Sequence, residues 1–223
     1  MKSKLILYLW CMCTFSACTS SGKGGKEETL YSGEIRIAVD ESFKPIMEEE
    51  LQVYHALTPE ALITPIYCSE VEAVNLLLKD SVRLAVTNRR LTEEELISFH
   101  TRKFFPESIL MALSGVALIT HHSNPDSLIT VEEFRRIATG ETTEWKGLNP
   151  DSKLGCIQVV FDNPNSGTVH YVIDSICQGK PLSPSLKALK SNEEVIDYVA
   201  TTPDALGVIG ANWIGNKTDT NRQ

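Results

Sequence analysis

The feature that most constrains this fold is the alternation of short apolar strands with amphipathic helices between residues 34 and 99. β-Branched and apolar runs predict strands at 34–39, 61–67 and 82–86. Apolar side chains at helical spacing predict helices at about 46–56, 70–79 and 92–99. A repeated strand–helix order favours an α/β sandwich with a largely parallel sheet. In such sheets ligands gather beyond the carboxyl ends of the strands, where the loops at Ser42-Phe43 and 87–90 lie.

A later strand and helix enclose the motif Ser166-Gly167-Thr168. Residues 154–161 predict a strand, and 169–178 predict a helix. The first N–H groups of a helix have no internal partner, and the helix dipole favours negative charge, so this position suits an anion. Ser and Thr are also the commonest helix caps. On this motif alone a simple cap is the favoured interpretation.

The first residues predict export and lipidation. Lys2 and Lys4 precede a short apolar core that is too short for a stable membrane span. The sequence Phe15-Ser16-Ala17-Cys18 resembles a bacterial lipobox, and a Gly/Ser/Lys-rich stretch follows it. We therefore expect a signal peptide at 1–17 and a tether at 18–32 lipidated on Cys18. A plain signal peptide cleaved near Ala17 is the alternative.

The charge and the cysteines exclude some classes of function. The chain has 21 basic and 29 acidic residues and a net charge of −8, which argues against a nucleic-acid partner but not against a local anion site. Beyond Cys18 only three cysteines remain, without CxxC or Cys/His spacing, so no zinc site is predicted. Buried thiols are favoured over a single disulfide. His121 and His122 are interpreted as polar hinge residues, and no metal or cofactor is expected.

An ordered set of motifs resembles one family. Residues 115–148 fit a pattern in which a strand leads into "NP…LT.E…I.TG…W..L"; its matching positions are Gly115, Ala117, Asn124, Pro125, Thr130, Glu132, Ile137, Gly140, Trp145 and Leu148. The other matches are an "SGT" at 166–168, an "IGYVG"-like run at 206–210, a first anion loop at Ser42-Phe43 with Pro45, and "R.L..E" from Arg89 with Leu91 and Glu94. Together these motifs resemble the phosphate-type periplasmic substrate-binding proteins of ABC transporters. With this resemblance, an anion site becomes the favoured interpretation of Ser166-Gly167-Thr168 in place of a simple cap.

The resemblance implies a type II, two-lobed α/β protein, each lobe a mixed, mainly parallel sheet flanked by helices. It implies a first lobe at 33–118, a second lobe at 119–206 and a return toward the first lobe with a polar tail at 207–223. The implied function is capture of inorganic phosphate, or a similar tetrahedral oxyanion, on the periplasmic side of a bacterial membrane for an ABC permease. We expect a lipid-anchored monomer without enzymatic activity.

Two departures from the family pattern matter. Many members carry an Arg four residues before the Ser of "SGT", where this chain has Asp162, so Arg89 is expected to supply the bidentate contact. The family also continues for some tens of residues after "IGYVG", whereas this sequence stops at Gln223. A truncated sequence or a reduced first lobe is therefore expected.

A buried oxyanion needs several donors, because an unpaired buried charge costs several kcal/mol. The expected donors are the N–H groups of Phe43, Gly167 and Thr168, the hydroxyls of Ser42, Ser166 and Thr168, the Arg89 guanidinium, and Thr87 or Asn88. Monohydrogen phosphate also donates a proton, and either Asp162 or Asp40 could accept it. A solvated turn residue is the equal alternative for Asp162.

Two other classes of function stay open. Ser166 with His170 could indicate a phosphate-ester hydrolase, but no G-x-S-x-G motif and no base with an orienting partner are present. A non-transport lipoprotein for phosphate sensing or adhesion would share the same scaffold.

Overall fold

A computed structural model describes residue 29, residues 31–126 and residues 128–214. The predicted signal peptide, Cys18, most of the predicted tether and the polar end of the chain lie outside the described residues. No helix within the described residues is long and apolar enough to cross a membrane.

The first layer is a three-stranded parallel sheet with strand order β2-β1-β3. Its strands are β1 (Gly33–Asp40), β2 (Ala61–Cys68) and β3 (Leu84–Val86), and its helices are α1 (Lys44–Leu57), α2 (Glu70–Leu78) and α3 (Glu93–Thr101). A short 3₁₀ turn, Glu41–Phe43, joins β1 to α1. The predicted alternation of strand and helix is confirmed. The strand predicted at 82–86 is shorter than expected and begins at Leu84.

The second layer is a four-stranded sheet with strand order β4-β7-β5-β6. Its strands are β4 (Val116–Thr120), β5 (Gln158–Phe161), β6 (Lys187–Ala188) and β7 (Ala205–Gly210), and its helices are α4 (Val131–Ala138), α5 (Gly167–Tyr171) and α6 (Asn192–Thr201). Among the described strands of this sheet, only the β4–β7 pair is antiparallel. The mixed, mainly parallel α/β architecture is confirmed.

The helices begin where their sequences provide caps. Thr92 and Thr130 form capping boxes with Glu95 and Glu133, and the Ser166 hydroxyl accepts the N–H of Val169. The helix predicted at 169–178 starts two residues earlier, at Gly167, and continues beyond Tyr171 as a π-helical turn, Val172–Ile176. Ser166 is thus the helix cap that the simpler interpretation of the motif predicted.

The two layers differ in the size of their cores. In the second layer the helices and the 3₁₀ turn Trp145–Gly147 cover the sheet, with Phe134, Trp145 and Leu206 almost fully buried. The main buried cluster of the first layer consists of the smaller side chains Ala38, Ala73 and Val82. The second layer therefore has the larger and better-packed core. The space between the two layers is called the cleft below.

The segment between the layers carries exposed apolar side chains. No strand is formed between 102 and 115, and Phe105, Leu110 and Leu113 are exposed there. The predicted lobe boundaries at 118/119 and 206/207 fall within β4 and β7, and both of these strands lie wholly in the second sheet. The division into lobes stays a prediction. Below, the first and second lobes denote the parts built on the first and second sheets.

The three described cysteines carry free thiols. Cys177 is buried, as expected, but Cys156 is exposed, and this corrects the expectation of buried thiols for that residue. Cys156 forms only an isolated bridge with Glu144, so the strand predicted from residue 154 begins at Gln158.

Candidate anion-binding site

The candidate site lies where the end of β1 in the first lobe faces the start of α5 in the second lobe. A small cavity of about 40 Å³ opens there. It is lined by Ser42, Phe43, Asn88, Ser114, Gly115, Val116, Gly167, Thr168, Tyr171 and Gly210. One water needs about 10–15 Å³ by this measure, so the cavity holds a few waters. The cavity brings together five of the residues that the sequence predicted for the ligand.

The centre of the site is the carboxylate of Asp40, which is fully buried. Its Oδ1 accepts hydrogen bonds from the Ser42 backbone N–H at 3.1 Å and the Ser42 hydroxyl at 3.0 Å. Its Oδ2 accepts from the Gly167 N–H at 3.1 Å and the Asn88 side-chain amide at 3.3 Å. We call the three residues that surround Asp40, namely Ser42, Asn88 and Gly167, the donor cradle.

The cradle depends on close approach at Gly167. A Cβ atom added there would lie 1.9 Å from Asn88 Nδ2 and 2.6 Å from Asp40 Oδ2, well inside van der Waals contact. The hydroxyls of Ser42 and Thr168 meet beside it at 3.3 Å. Glycine is therefore required at this position by the packing of the two lobes.

Further acidic groups join the lobes next to the cradle. Asp162 accepts from the Ser166 hydroxyl at 2.7 Å and from the Asn192 side-chain amide at 3.2 Å. The same Asn192 amide donates to Glu41 across the cleft. Asp162 is buried, so the alternative of a solvated turn residue is wrong.

Arg89 has a different environment from the one predicted. Its two terminal nitrogens donate to both oxygens of Glu95, at 2.8 and 2.9 Å, and its Nε lies 3.3 Å from Glu70 Oε1. The buried Glu70 also contacts His170 Nδ1 at 2.8 Å. We call Glu70, Arg89 and Glu95 the arginine cluster. The bidentate contact of Arg89 with a ligand stays a prediction, because both terminal nitrogens of its guanidinium, the fork referred to below, already donate to Glu95.

The pKa values of the acids at and next to the cradle are raised by burial, whereas the pKa of Glu95 in the arginine cluster is lowered by its ion pair. Desolvation raises the pKa of Asp40 from 3.8 to about 6 and the pKa of Glu41 from 4.5 to about 7. Burial also raises the pKa of Asp162. In the arginine cluster, the hydrogen bond from Arg89 holds the pKa of Glu95 down at about 2. The cradle therefore binds a carboxylate that is costly to ionise.

The sequence predicted the three cradle residues and only part of their acidic surroundings. Ser42, Asn88, Gly167 and Thr168 meet at the cavity, and Phe43 lines it. Ser166 and Asp162 bind each other behind it. Glu41 and Asn192 were not predicted, and a signal for Glu41 was its place between Asp40 and the first anion loop. No signal in the sequence marked Asn192, because its contacts with Glu41 and Asp162 cross 151 and 30 residues of chain.

Comparison with known proteins identifies the family of the chain. A family model described as a PBP superfamily domain matches residues 24–222. The chain belongs to this family. A curated relative, the phosphate-binding protein PstS of Borreliella burgdorferi, is 25% identical over 195 residues, which cover 83% of this chain and 66% of that protein. The chain thus spans about two thirds of the length of this relative.

Solved structures support the fold. A putative phosphate ABC transporter substrate-binding protein from Clostridium perfringens, solved with bound phosphate, superposes with a TM-score of 0.71 at 22% identity, covering 80% of this chain and 71% of that one. The regulatory domain of an OxyR2 variant from Vibrio vulnificus superposes with a TM-score of 0.59 at 9% identity, covering 87% and 80%. The same fold therefore serves both a transport protein and a regulatory domain, so the site and not the fold determines the function of this PBP domain.

Proposed function

We propose that the protein captures inorganic phosphate, or a similar tetrahedral oxyanion, on the periplasmic side of a bacterial membrane and delivers it to an ABC permease. One observation carries the proposal: donors from both lobes converge on the two oxygens of a single carboxylate, Asp40. A carboxylate is itself an oxyanion, so this arrangement of donors suits the oxygens of a phosphate. The relatives named for phosphate binding support the choice of ligand.

The proposed ligand contacts come from the walls of the cavity. Ser42 and Phe43 face the ligand from the first lobe, together with Asn88, and Gly167 and Thr168 face it from the second lobe. Asp162 and Ser166 support the second-lobe wall from behind. Arg89 joins the ligand only if the anion replaces Glu95 on the fork.

Titration calorimetry with inorganic phosphate, with sulfate as a competitor, tests the proposal. We expect saturable phosphate binding that sulfate does not displace, because sulfate has no proton to give to a buried acceptor. Failure to bind any tetrahedral oxyanion would favour the second candidate, a sensing or adhesive lipoprotein on the same scaffold. The observation that favours this candidate is that the cradle donors are already bound to Asp40, so they are not free to bind a ligand.

The hydrolase alternative finds no support at its predicted nucleophile. The Ser166 hydroxyl donates to Asp162 and accepts the Val169 N–H, while His170 contacts Glu70. The base that the sequence suggested, His170, is bound to Glu70 and not to Ser166. The Ser166 side chain is buried and its hydroxyl caps α5, so it is not open to a phosphate ester. We therefore propose a binding protein without enzymatic activity.

We also propose that a lipid on Cys18 anchors the protein to the membrane. The proposal depends on the lipobox-like sequence before Cys18 and the polar tether after it. Replacement of Cys18 by Ala should release the protein from the membrane fraction and abolish incorporation of labelled fatty acid. A wild-type protein that takes up no label would overturn the anchor.

A further inference from the structure

We propose that Asp40 is a built-in occupant of the anion site, which competes with phosphate for the donor cradle and holds the two lobes together when no ligand is bound. The inference rests on the proposed function, since it assigns the same donors to the ligand. It adds that the chain carries its own competitor in the first lobe. Phosphate then has to displace a tethered carboxylate before it can bind.

The hydrogen bonds of Asp40 use up the cradle. An ionised carboxylate offers about four acceptor positions, and Asp40 receives four hydrogen bonds from Ser42, Asn88 and Gly167. The N–H groups of Ser42 and Gly167 have one hydrogen each. A phosphate oxygen can take these hydrogens only by replacing the carboxylate oxygens.

The position of Asp40 leaves no room for a second anion within the cradle. Asp40 is the last residue of β1, and its backbone is held in register opposite Cys68 of β2. Its side chain is fully buried, and its Oδ2 would be only 2.6 Å from a Cβ on Gly167. The remaining cavity of about 40 Å³ lies beside the cradle. A ligand in that cavity alone would miss the donors that Asp40 occupies.

The charges around Asp40 oppose a neighbouring anion. Glu70 lies close enough to raise the pKa of Asp40, and Asp40 and Asp162 act in the same way on Glu41. Within the described residues no lysine or arginine donates a hydrogen bond to Asp40, and the Arg89 fork is bound by Glu95. Phosphate beside an ionised Asp40 would therefore meet repulsion without a compensating cation.

The same contacts link the lobes. Gly167 belongs to α5 of the second lobe, 127 residues from Asp40 along the chain. The bond between them joins the two lobes directly, and the Ser42–Thr168 contact lies beside it. Removal of the Asp40 carboxylate should loosen the empty cleft and free the donors for phosphate.

Calorimetric titration with inorganic phosphate at pH 7.5 tests this inference on the wild type, Asp40→Ala and Asp40→Asn. X-ray scattering of each ligand-free protein reports whether the cleft is open. We expect Asp40→Ala to bind phosphate at least tenfold more tightly than the wild type and to have a larger radius of gyration when empty. Asp40→Asn keeps the size of the side chain and should gain less affinity, and it serves as the test if Asp40→Ala does not fold.

Asp126→Ala is the matched control. Asp126 also accepts two side-chain hydrogen bonds, from Asn149 at 2.6 Å and Ser152 at 2.7 Å, but it lies on the loop before α4, outside the cleft. Its loss should change neither phosphate affinity nor the radius of gyration. An equal gain of affinity in Asp126→Ala would overturn the inference, because the gain would then follow from general loosening.

The outcomes separate the inference from the proposed function. Tight binding by the wild type and weaker binding by Asp40→Ala would overturn the inference and keep the function, with Asp40 as a ligand contact. An absence of oxyanion binding in all variants, with an empty cleft that opens only in the Asp40 variants, would overturn the function and support Asp40 as the link between the lobes. No binding and no change in the radius of gyration would overturn both.

Discussion

The donor cradle holds the buried carboxylate of Asp40, and the arginine cluster holds the buried Glu70 and the partly exposed Glu95 by different means. In the cradle, Asp40 is surrounded by neutral dipoles: two N–H groups, a hydroxyl and an amide. In the arginine cluster, Glu95 faces the formal charge of Arg89. The pKa of Asp40 rises to about 6, while the pKa of Glu95 falls to about 2.

The difference shows what neutral donors can and cannot do. Four hydrogen bonds fix the position of Asp40, but they do not offset the desolvation of its charge, so the net shift is upward. Glu95 is partly exposed, so its desolvation is smaller, and the hydrogen bonds from Arg89 and then from Thr92 lower its pKa. We therefore expect a site built from dipoles alone to hold its own carboxylate at a cost and to exchange it for another oxyanion. The arginine cluster is an ion pair with little to gain from exchange.

The largest effect on phosphate binding should come from adding a side chain at Gly167, where the two lobes approach each other closely. In Gly167→Ala the new methyl group would overlap Asn88 and Asp40, so the cradle must separate. We expect phosphate binding to fall below detection by calorimetry, while circular dichroism stays near that of the wild type. Gly155→Ala is the matched control, because a Cβ there has its nearest neighbour at 3.8 Å. Unchanged affinity in Gly167→Ala would reduce this motif to an ordinary helix cap.

The pH dependence of stability should differ in sign between the two clusters. A raised carboxyl pKa means that the folded state binds the proton more tightly, so the stability it contributes is present below pH 3.8 and is lost as the pH rises through about 6. At about 1.4 kcal/mol per pKa unit, the titration of Asp40 changes the free energy of unfolding by about 3 kcal/mol between the two pH limits. Glu95 contributes stability above pH 4.5 that is lost as the pH falls toward 2.

Urea denaturation between pH 4 and pH 8 measures this contrast. The wild type should lose stability over this range, and Asp40→Asn should lose about 2 kcal/mol less, because part of the Asp40 contribution is already lost at pH 4. In Glu95→Gln the slope between pH 5 and pH 8 should stay as in the wild type, because Glu95 remains ionised throughout. A slope that Asp40→Asn leaves unaltered would show that Asp40 titrates normally and that neutral dipoles do offset its burial.

Arg89 should matter to stability before it matters to binding. Arg89→Ala removes two charge-assisted hydrogen bonds and leaves the buried Glu70 without its cation. Such bonds contribute about 1.5–3 kcal/mol each, reduced here because the Arg89 side chain is 31% exposed, so we expect a loss of about 2 kcal/mol. Phosphate affinity should change less than tenfold. Denaturation and calorimetry on the same protein samples measure both quantities.

Arg90→Ala is the control for this prediction, because Arg90 is exposed and should change stability by less than about 0.5 kcal/mol. The sequence alone predicts another result for Arg89: a loss of affinity of two or more orders of magnitude, with little recovery in Arg89→Lys. That result with unchanged stability would show that the fork leaves Glu95 when the anion enters, and the contrast between the two clusters would fail.

How well the sequence predicts a contact depends on how far apart the two residues lie along the chain. The alternation of strand and helix between β1 and α3 is local, and its pattern predicted those elements to within a few residues. The cradle residues were found because they lie in loops at the ends of strands. The partner of Arg89 was missed, although Glu95 lies only six residues away, because the motif suggested a ligand for the guanidinium. The bond from Gly167 to Asp40 spans 127 residues, so only the folded chain shows it.

The smallest effect should come from the exposed ion pair that also joins the lobes. Lys44 Nζ lies 3.4 Å from Glu193 Oε1, with side chains 29% and 51% exposed. Such pairs contribute about 0–1 kcal/mol and weaken in salt. In Lys44→Ala we expect a loss below about 0.5 kcal/mol and phosphate affinity within twofold of the wild type, because Glu193 remains favourable in the first turn of α6. A larger loss that disappears in 0.5 M NaCl, on the order of 1 kcal/mol or more, would mean that formal charges hold the cleft closed and that the dipolar cradle has the lesser part.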